Sequence, residues 1–396
     1  MKLPRHKLSW VIAGFVAVIL GLAIVYALLQ SGTSIDRRHP APPRGNDNHS
    51  VSERRIRVAA MGDMLAHDTI ISGAKTDTGH DFGHYFSHIR TSYADADMVF
   101  CNQEGLSSGD TYGISGYPSF NAPIEFAAGL HTGAGCNVIN LANNHMGDKG
   151  VGATNATLDV WSELQPLALS GANKDAASQN TVSYGTVKDL KFGFVSFADF
   201  NNNTATPAYS VNNYHDEALV RRLVGEARRN ADIVIVSMHW GEEDSGVVNQ
   251  DQQQAAALLA SLGVDVVLGT GPHVLQKVDT LPRADGGVTT VWYSLGNMLS
   301  SQLDIKGLIG GIASFDVVKK QDEGIGIEQL SFVPTYMHYE WTVDEKARND
   351  LTARKNAKIY LLKDAAAPLS RSLFSTTVEE QRRYVVHTLG DKVTVK

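Results

Sequence analysis

Five apolar or β-branched runs, at residues 56–60, 97–101, 137–141, 232–237 and 264–268, each end in side chains that need a binding partner. The clusters are Met61-Gly62-Asp63, Asn102-Gln103-Glu104, Ala142-Asn143-Asn144-His145, Met238-His239-Trp240-Gly241-Glu242-Glu243 and Gly271-Pro272-His273. A run of this length reads as a buried strand, and helix-like segments at 123–131, 151–164, 215–227 and 252–262 fall between the runs. Strand and helix in alternation predict an α/β protein with a largely parallel core, whose ligand sites lie beyond the carboxyl ends of the strands. Carboxylates, amides and imidazoles gathered at one sheet edge form a cradle for metal ions.

Later runs at 289–295, 311–318 and 326–334 predict a second, more antiparallel sheet facing the first. The chain from 338 to 396 is charged and helical in places, at 378–389 above all, and is expected to pack on the domain at 55–337.

Residues 10–29 carry no charge, and about 20 apolar residues suffice to span a bilayer as a helix. Lys2, Arg5 and Lys7 precede the stretch, so residues 1–9 are expected in the cytoplasm and the bulk of the chain outside. A cleaved signal peptide is the rival reading. The apolar stretch is long for one, and no small-x-small cleavage site follows Leu29. Residues 30–54 read as a solvated extracellular stalk. A formal net charge of −7 leaves no basic footprint, which argues against a nucleic-acid partner. The two cysteines, Cys101 and Cys136, would lie at opposite sheet edges if one closes its strand and the other opens the next. Buried free thiols are therefore expected.

Each candidate residue has a bland reading beside the functional one. Asp63 suits a turn or helix N-cap, and Glu104 a surface ion pair. The three amides before His145 could simply shape a loop, although leaving them unpaired would be costly. His239 and His273 at matching strand ends, beside two carboxylates, favour a shared centre. Of the remaining histidines, His80, His84 and His88 at four-residue spacing could line one helix face and pick up metal.

As a set, Asp63 and Glu104 supply hard oxygen ligands, and Asn144, His239 and His273 neutral ones. His145, beside Asn144, is a candidate hydrogen-bond donor or general acid. Such a centre would hold one or two divalent ions, and the imidazoles favour zinc, manganese or iron. Two ions bridged by a carboxylate would activate water and clamp the oxygens of a phosphoester.

The ordered stretches Gly62-Asp63, Asn102-Gln103-Glu104, Ala142-Asn143-Asn144-His145 with Asp148 and Gly150, His239-Trp240-Gly241-Glu242-Glu243, Pro272-His273-Val274-Leu275-Gln276 and Tyr293-Ser294-Leu295-Gly296-Asn297 resemble one family. It is the poly-gamma-glutamate capsule biosynthesis (CapA-like) family, a branch of the calcineurin-like metallophosphoesterases. The resemblance covers roughly residues 56–300. It implies a four-layer α/β/β/α sandwich of metallophosphoesterase type, here preceded by one N-terminal transmembrane helix. It also implies a membrane-anchored protein working on an anionic cell-envelope polymer such as capsular poly-gamma-glutamate, with polymer synthase subunits as possible partners.

Asn144 and His145 would then be catalytic. Asn102, Asp148, Glu243, Gln276 and Asn297 would touch substrate or support the ligands. Two positions depart from the superfamily pattern: Leu65 stands where its first motif carries a histidine, and Gly271 stands where the last motif has the first histidine of His-Pro-His. The rival functions are a secreted metallophosphoesterase for a small ester and a metal-free scaffold of a polymer synthase.

Overall fold

The structure is a computed structural model that describes residues 53–320 and 324–396. The expected span at 10–29 and nearly all of the expected stalk lie outside the described residues. Among the described residues no helix is long and apolar enough to cross a membrane.

Fifteen strands form the two main sheets. We number them β1 (Arg54–Leu65), β2 (Met98–Glu104), β3 (Val138–Asn140), β4 (Ala168–Ser170), β5 (Ser183–Val187), β6 (Leu190–Ala198), β7 (Ile233–His239) and β8 (Val266–Thr270). They continue as β9 (Val278–Pro282), β10 (Val288–Trp292), β11 (Asn297–Leu299), β12 (Ile309–Lys320), β13 (Gly324–Glu340), β14 (Lys355–Leu361) and β15 (Thr394–Val395). The larger sheet runs β14-β13-β12-β1-β2-β3-β4, with β11 beside β1 and β15 beside β13. The smaller runs β9-β10-β8-β7-β6-β5. Parallel pairing links β1 to β4 in one and β6, β7, β8 and β10 in the other.

The partition differs from the expectation of a parallel first half and an antiparallel second half. β12 and β13 pair antiparallel beside β1, extending the sheet of the first strands, whereas β10 pairs parallel with β8. Propensity reports that a segment is extended. Which neighbour it meets is decided by the crossover, and no local signal records that.

Alternation along the smaller sheet explains how its two faces are filled. Phe192, Phe194, Ile233, Ile235, Val266 and Leu268 join the core against the larger sheet. Their neighbours Val195, Val234, Val236 and Val267 point the other way, into a second core. Helices α2 (Glu217–Asn230) and α3 (Gln250–Ser261) close that second core, following α1 (Val151–Leu164) in the chain. Leu219, Val220, Leu223 and Val224 give α2 its apolar stripe, and Asp216 caps it by accepting the Leu219 N–H at 3.0 Å. In α3 the cap is reciprocal, between Asn249 and Gln252. On the larger sheet, Trp161 of α1 is buried and donates to Gln103 Oε1 at 2.9 Å, tying that helix to the carboxyl end of β2.

Residues beyond 338 are threaded into the larger sheet. β13 runs through that position, β14 pairs with it, and α4 (Val378–Leu389) buries Val385 and Leu389 in the main core.

Cys101 and Cys136 form a disulfide, with Cα atoms 5.8 Å apart, which corrects the expectation of free thiols. β2 does not end at Cys101 but continues to Glu104, so Cys101 sits mid-strand. Cys136 lies in the turn before β3, where its N–H still reaches Leu130 O (3.0 Å). That turn folds the chain back and brings the sulfurs together. The His80, His84 and His88 face is not a helix either: Gly79–His80 closes a small hairpin against Lys75–Thr76, and His84 falls in a separate short turn at Gly83–Phe86.

Candidate metal centre

The carboxyl ends of β1, β2, β3, β7 and β8 come from both sheets and meet at one edge. Asp63 was expected in a turn after its strand but lies within β1, at an irregularity in the register with β2 between Met61 and Asp63. Gly62 makes this possible, because a Cβ there would stand 1.8 Å from Gly296 O. That closeness lets the Asp63 N–H donate to Gly296 O at 3.0 Å and turns the carboxylate inward, fully buried.

Asp63 Oδ1 accepts from Asn102 Nδ2 at 2.7 Å, and Oδ2 accepts from the Gly271 N–H (3.2 Å) and His273 Nδ1 (3.1 Å). Asn297 Oδ1 also lies 3.0 Å from His273 Nδ1, while Asn297 Nδ2 donates to Gly307 O. Two oxygen acceptors at Nδ1 place a proton there and turn toward the centre Nε2, which would have to give up its own proton to ligate a metal. Nε2 stands 3.7 Å from Glu104 Oε1, as does His239 Nε2. His239 Nε2 also contacts Asn144 Oδ1 at 3.1 Å, and its Nδ1 meets Thr270 Oγ1 at 3.1 Å. Ligand atoms of Asp63, Glu104 and His239 all fall within 4.8 Å of one another.

Glu104 shows what this cluster is built for. It is buried, and neither of its carboxylate oxygens accepts a hydrogen bond. Burial, reinforced by Asp63 and Glu243 and opposed by His273, pushes its carboxyl well above the usual range. Burial also pushes Asp63 up, but the hydrogen bond and charge of His273 outweigh it and hold Asp63 low. Burial drives His239 down to about 4. It also opposes protonation of His273, yet Glu104 and Asp63 together lift that imidazole to about 10. A buried carboxylate that accepts no hydrogen bond, set among imidazoles, is the donor set a divalent cation satisfies, so the residues fit a metal.

Gly271 shows why one expected imidazole is missing. Its φ is +107°, and a Cβ there would meet Trp240 O at 2.8 Å. The backbone N–H occupies the place beside Asp63 instead.

The amides after β3 divide the work. Asn143 shapes the loop, accepting from the Gly105 and His145 N–H groups and donating to Gln103 O, whereas Asn144 reaches His239. His145 pairs through Nδ1 with Asp148 Oδ2 at 2.7 Å, and the same oxygen accepts the Phe120 N–H. His145 and Glu243 line an adjoining cleft of about 350 Å³. Gln276 does not join the centre: it is buried against Gln252 and donates to Ser245 O and Val247 O, pinning the loop after β7. The cleft also recruits His67, Phe120, Ser301 and Arg354, which the sequence reading missed. His67 lies four residues past Asp63, a proximity that was a usable signal; Arg354 had none.

Fold and site together define a mixed α/β protein with a candidate metal centre where the carboxyl ends of two sheets converge. The chain belongs to the family described as "Bacterial capsule synthesis protein PGA_cap", whose sequence model matches residues 57–302. It is similar to "Capsule biosynthesis protein CapA" of Bacillus anthracis, at 26% identity over 73% of this chain and 69% of that one. It is also similar to "PGA biosynthesis protein CapA" of Bacillus subtilis (strain 168), at 33% identity over 42% of this chain and 43% of that one. Among solved structures it resembles a putative 5'-nucleotidase from Staphylococcus aureus, with a TM-score of 0.44 and 15% identity over 75% of this chain and 57% of that one.

Proposed function

We propose that the chain is a single-pass, outward-facing protein that acts in synthesis, export or anchoring of an anionic envelope polymer, capsular poly-gamma-glutamate in the first instance. Its metal centre would be of hydrolase type, on a four-layer sandwich of metallophosphoesterase kind. Family membership supports the capsule role. The apolar stretch at 10–29 supports the anchor, and the disulfide fits a compartment outside the reducing cytosol.

The observation that carries the site is the buried Glu104 carboxylate, neither of whose oxygens accepts a hydrogen bond. Asp63, Glu104, Asn144, His239 and His273 would hold the ion, and Asn102, Thr270 and Asn297 would orient those ligands. Such an ion supplies Lewis acidity toward a carbonyl or phosphoryl oxygen. His145, held through Nδ1 by Asp148, presents Nε2 to a ligand in the cleft, as an acceptor when the ring is neutral and as a donor or general acid when it is protonated.

A second reading, in which the centre grips polymer carboxylates without turnover, is favoured by Gly271. With two imidazoles rather than three, one strongly held ion suits the ligand set better than two. Elemental analysis of the detergent-solubilised full chain tests the site, and a p-nitrophenyl phosphodiester and poly-gamma-glutamate test turnover. Near-stoichiometric zinc, manganese or iron with cleavage of either substrate is the expected result. Metal without cleavage leaves the gripping reading, and protein that purifies metal-free and takes up none removes both.

A further inference from the structure

Arg354 is 5% exposed and lines the cleft beside the metal centre, yet it makes no ion pair with any carboxylate among the described residues. Buried arginines are ordinarily paired. Here the guanidinium is held in place by neutral groups: NH1 donates to Ser301 O, Nε donates to Leu351 O at 2.9 Å, and the group lies over the rings of Tyr339 (5.2 Å) and Trp341 (5.8 Å). The Tyr339 hydroxyl also acts on the guanidinium as a neutral partner. Asp68, on the same cleft, is exposed and accepts from the Gly116 N–H, and it acts on Arg354 through its charge without forming an ion pair with it.

His67 lies on the same wall. It accepts the Ser301 N–H at Nδ1 (3.3 Å) and stands edge-on to Phe120, which stands edge-on to His145. Glu243 acts on His273 and Glu104, so the acidic side of the cleft adjoins the metal centre and Arg354 marks a separate positive pole.

From this geometry we propose that Arg354 is an oxyanion anchor, binding a carboxylate or phosphate of the ligand at a point distinct from the metal centre. Its planar fork suits two oxygens of either group. The inference deepens the proposed function, on which it rests for the class of ligand: a γ-linked glutamate chain presents a free α-carboxylate at every residue. It also assigns a binding role to a segment beyond residues 57–302, the stretch the family model matches.

The test is calorimetric titration of the detergent-solubilised full chain with a γ-linked glutamate oligomer, with its α-carboxamide analogue and with inorganic phosphate. Each is measured on wild type, Arg354→Gln and Arg354→Lys, with metal content determined in parallel. Arg354→Gln is expected to weaken an anion by about ten-fold or more at unchanged metal content, and Arg354→Lys to retain part of the affinity. Loss confined to the oligomer identifies a carboxylate ligand, and loss confined to phosphate a phosphoester. Wild-type affinity in Arg354→Gln for both anions, or no binding of either to wild type, overturns the anchor.

If Arg354→Gln does not fold, metal-stripped wild type decides. Continued preference for the oligomer over its carboxamide supports a separate anchor, and its disappearance refutes one. Wild-type protein that purifies and remains without metal would instead overturn the metal reading, whatever the anions do.

Discussion

Burial lifts the Glu104 carboxyl well above its usual range and leaves it no hydrogen-bond donor, so at neutral pH the metal-free protein loses stability whether it holds the charge or takes up a proton. Replacing Glu104 by glutamine removes the charge at nearly constant shape. In chelator, Glu104→Gln is expected to raise stability by about 1–3 kcal/mol. In excess zinc or manganese the order should reverse, because wild type gains binding energy that the variant lacks. Paired thermal melts with and without chelator check this, and curves that never cross would argue against a metal at this position.

His67 gives a pH signature. Burial, and then the charge of Arg354, depress its pKa from 6.5 to about 3. Because the folded value lies below the unfolded one, the unfolded chain takes up the proton first as pH falls. This contribution to stability is complete above 6.5 and is lost toward 3, with a slope of at most about 1.4 kcal/mol per pH unit. Denaturant titrations across that range should show the decline, and His67→Gln should flatten it.

At the scale of the elements, the strands were legible and the points where they end were not. Asp63, Glu104, His239 and His273 were readable because a polar side chain closing an apolar run needs a polar partner where the strand ends. The cysteines were misread because the same rule placed the end of β2 at Cys101, although Asn102 and Glu104 continue the strand as buried polar residues. Gln276 was misplaced because a motif position says nothing of which way a side chain turns.

The disulfide spans 35 residues of sequence, and closing such a loop is worth about 3–4 kcal/mol through the unfolded state. The double variant Cys101→Ala/Cys136→Ala is expected to lose about 2–4 kcal/mol in urea unfolding, with its metal content retained. A loss below about 0.5 kcal/mol would mean the link contributes little to the fold.

On the scale of the whole molecule, the C-terminal segment is part of the core. Ile359, Leu362, Leu369, Val385 and Leu389 are all buried in it. At about 1.5–3 kcal/mol each, they rival the 5–15 kcal/mol that holds a typical domain folded. Truncation after Glu340 also strips β14 from β13 and removes Arg354. The truncated chain is expected to be insoluble or without a cooperative melt, and a soluble, cooperatively melting product would show this segment to be dispensable.

By itself the sequence determined the α/β alternation, the apolar stretch at 10–29 and most of the polar side chains that meet at the candidate centre, because hydrophobic period and polar strand ends are local properties. Tertiary structure alone decided the allocation of strands to sheets, the Cys101–Cys136 pairing and the meeting of Arg354 with His67 on one wall of the cleft. Each of these depends on which distant segments come to lie side by side, and crossovers and packing fix that without leaving a mark in any one stretch of chain.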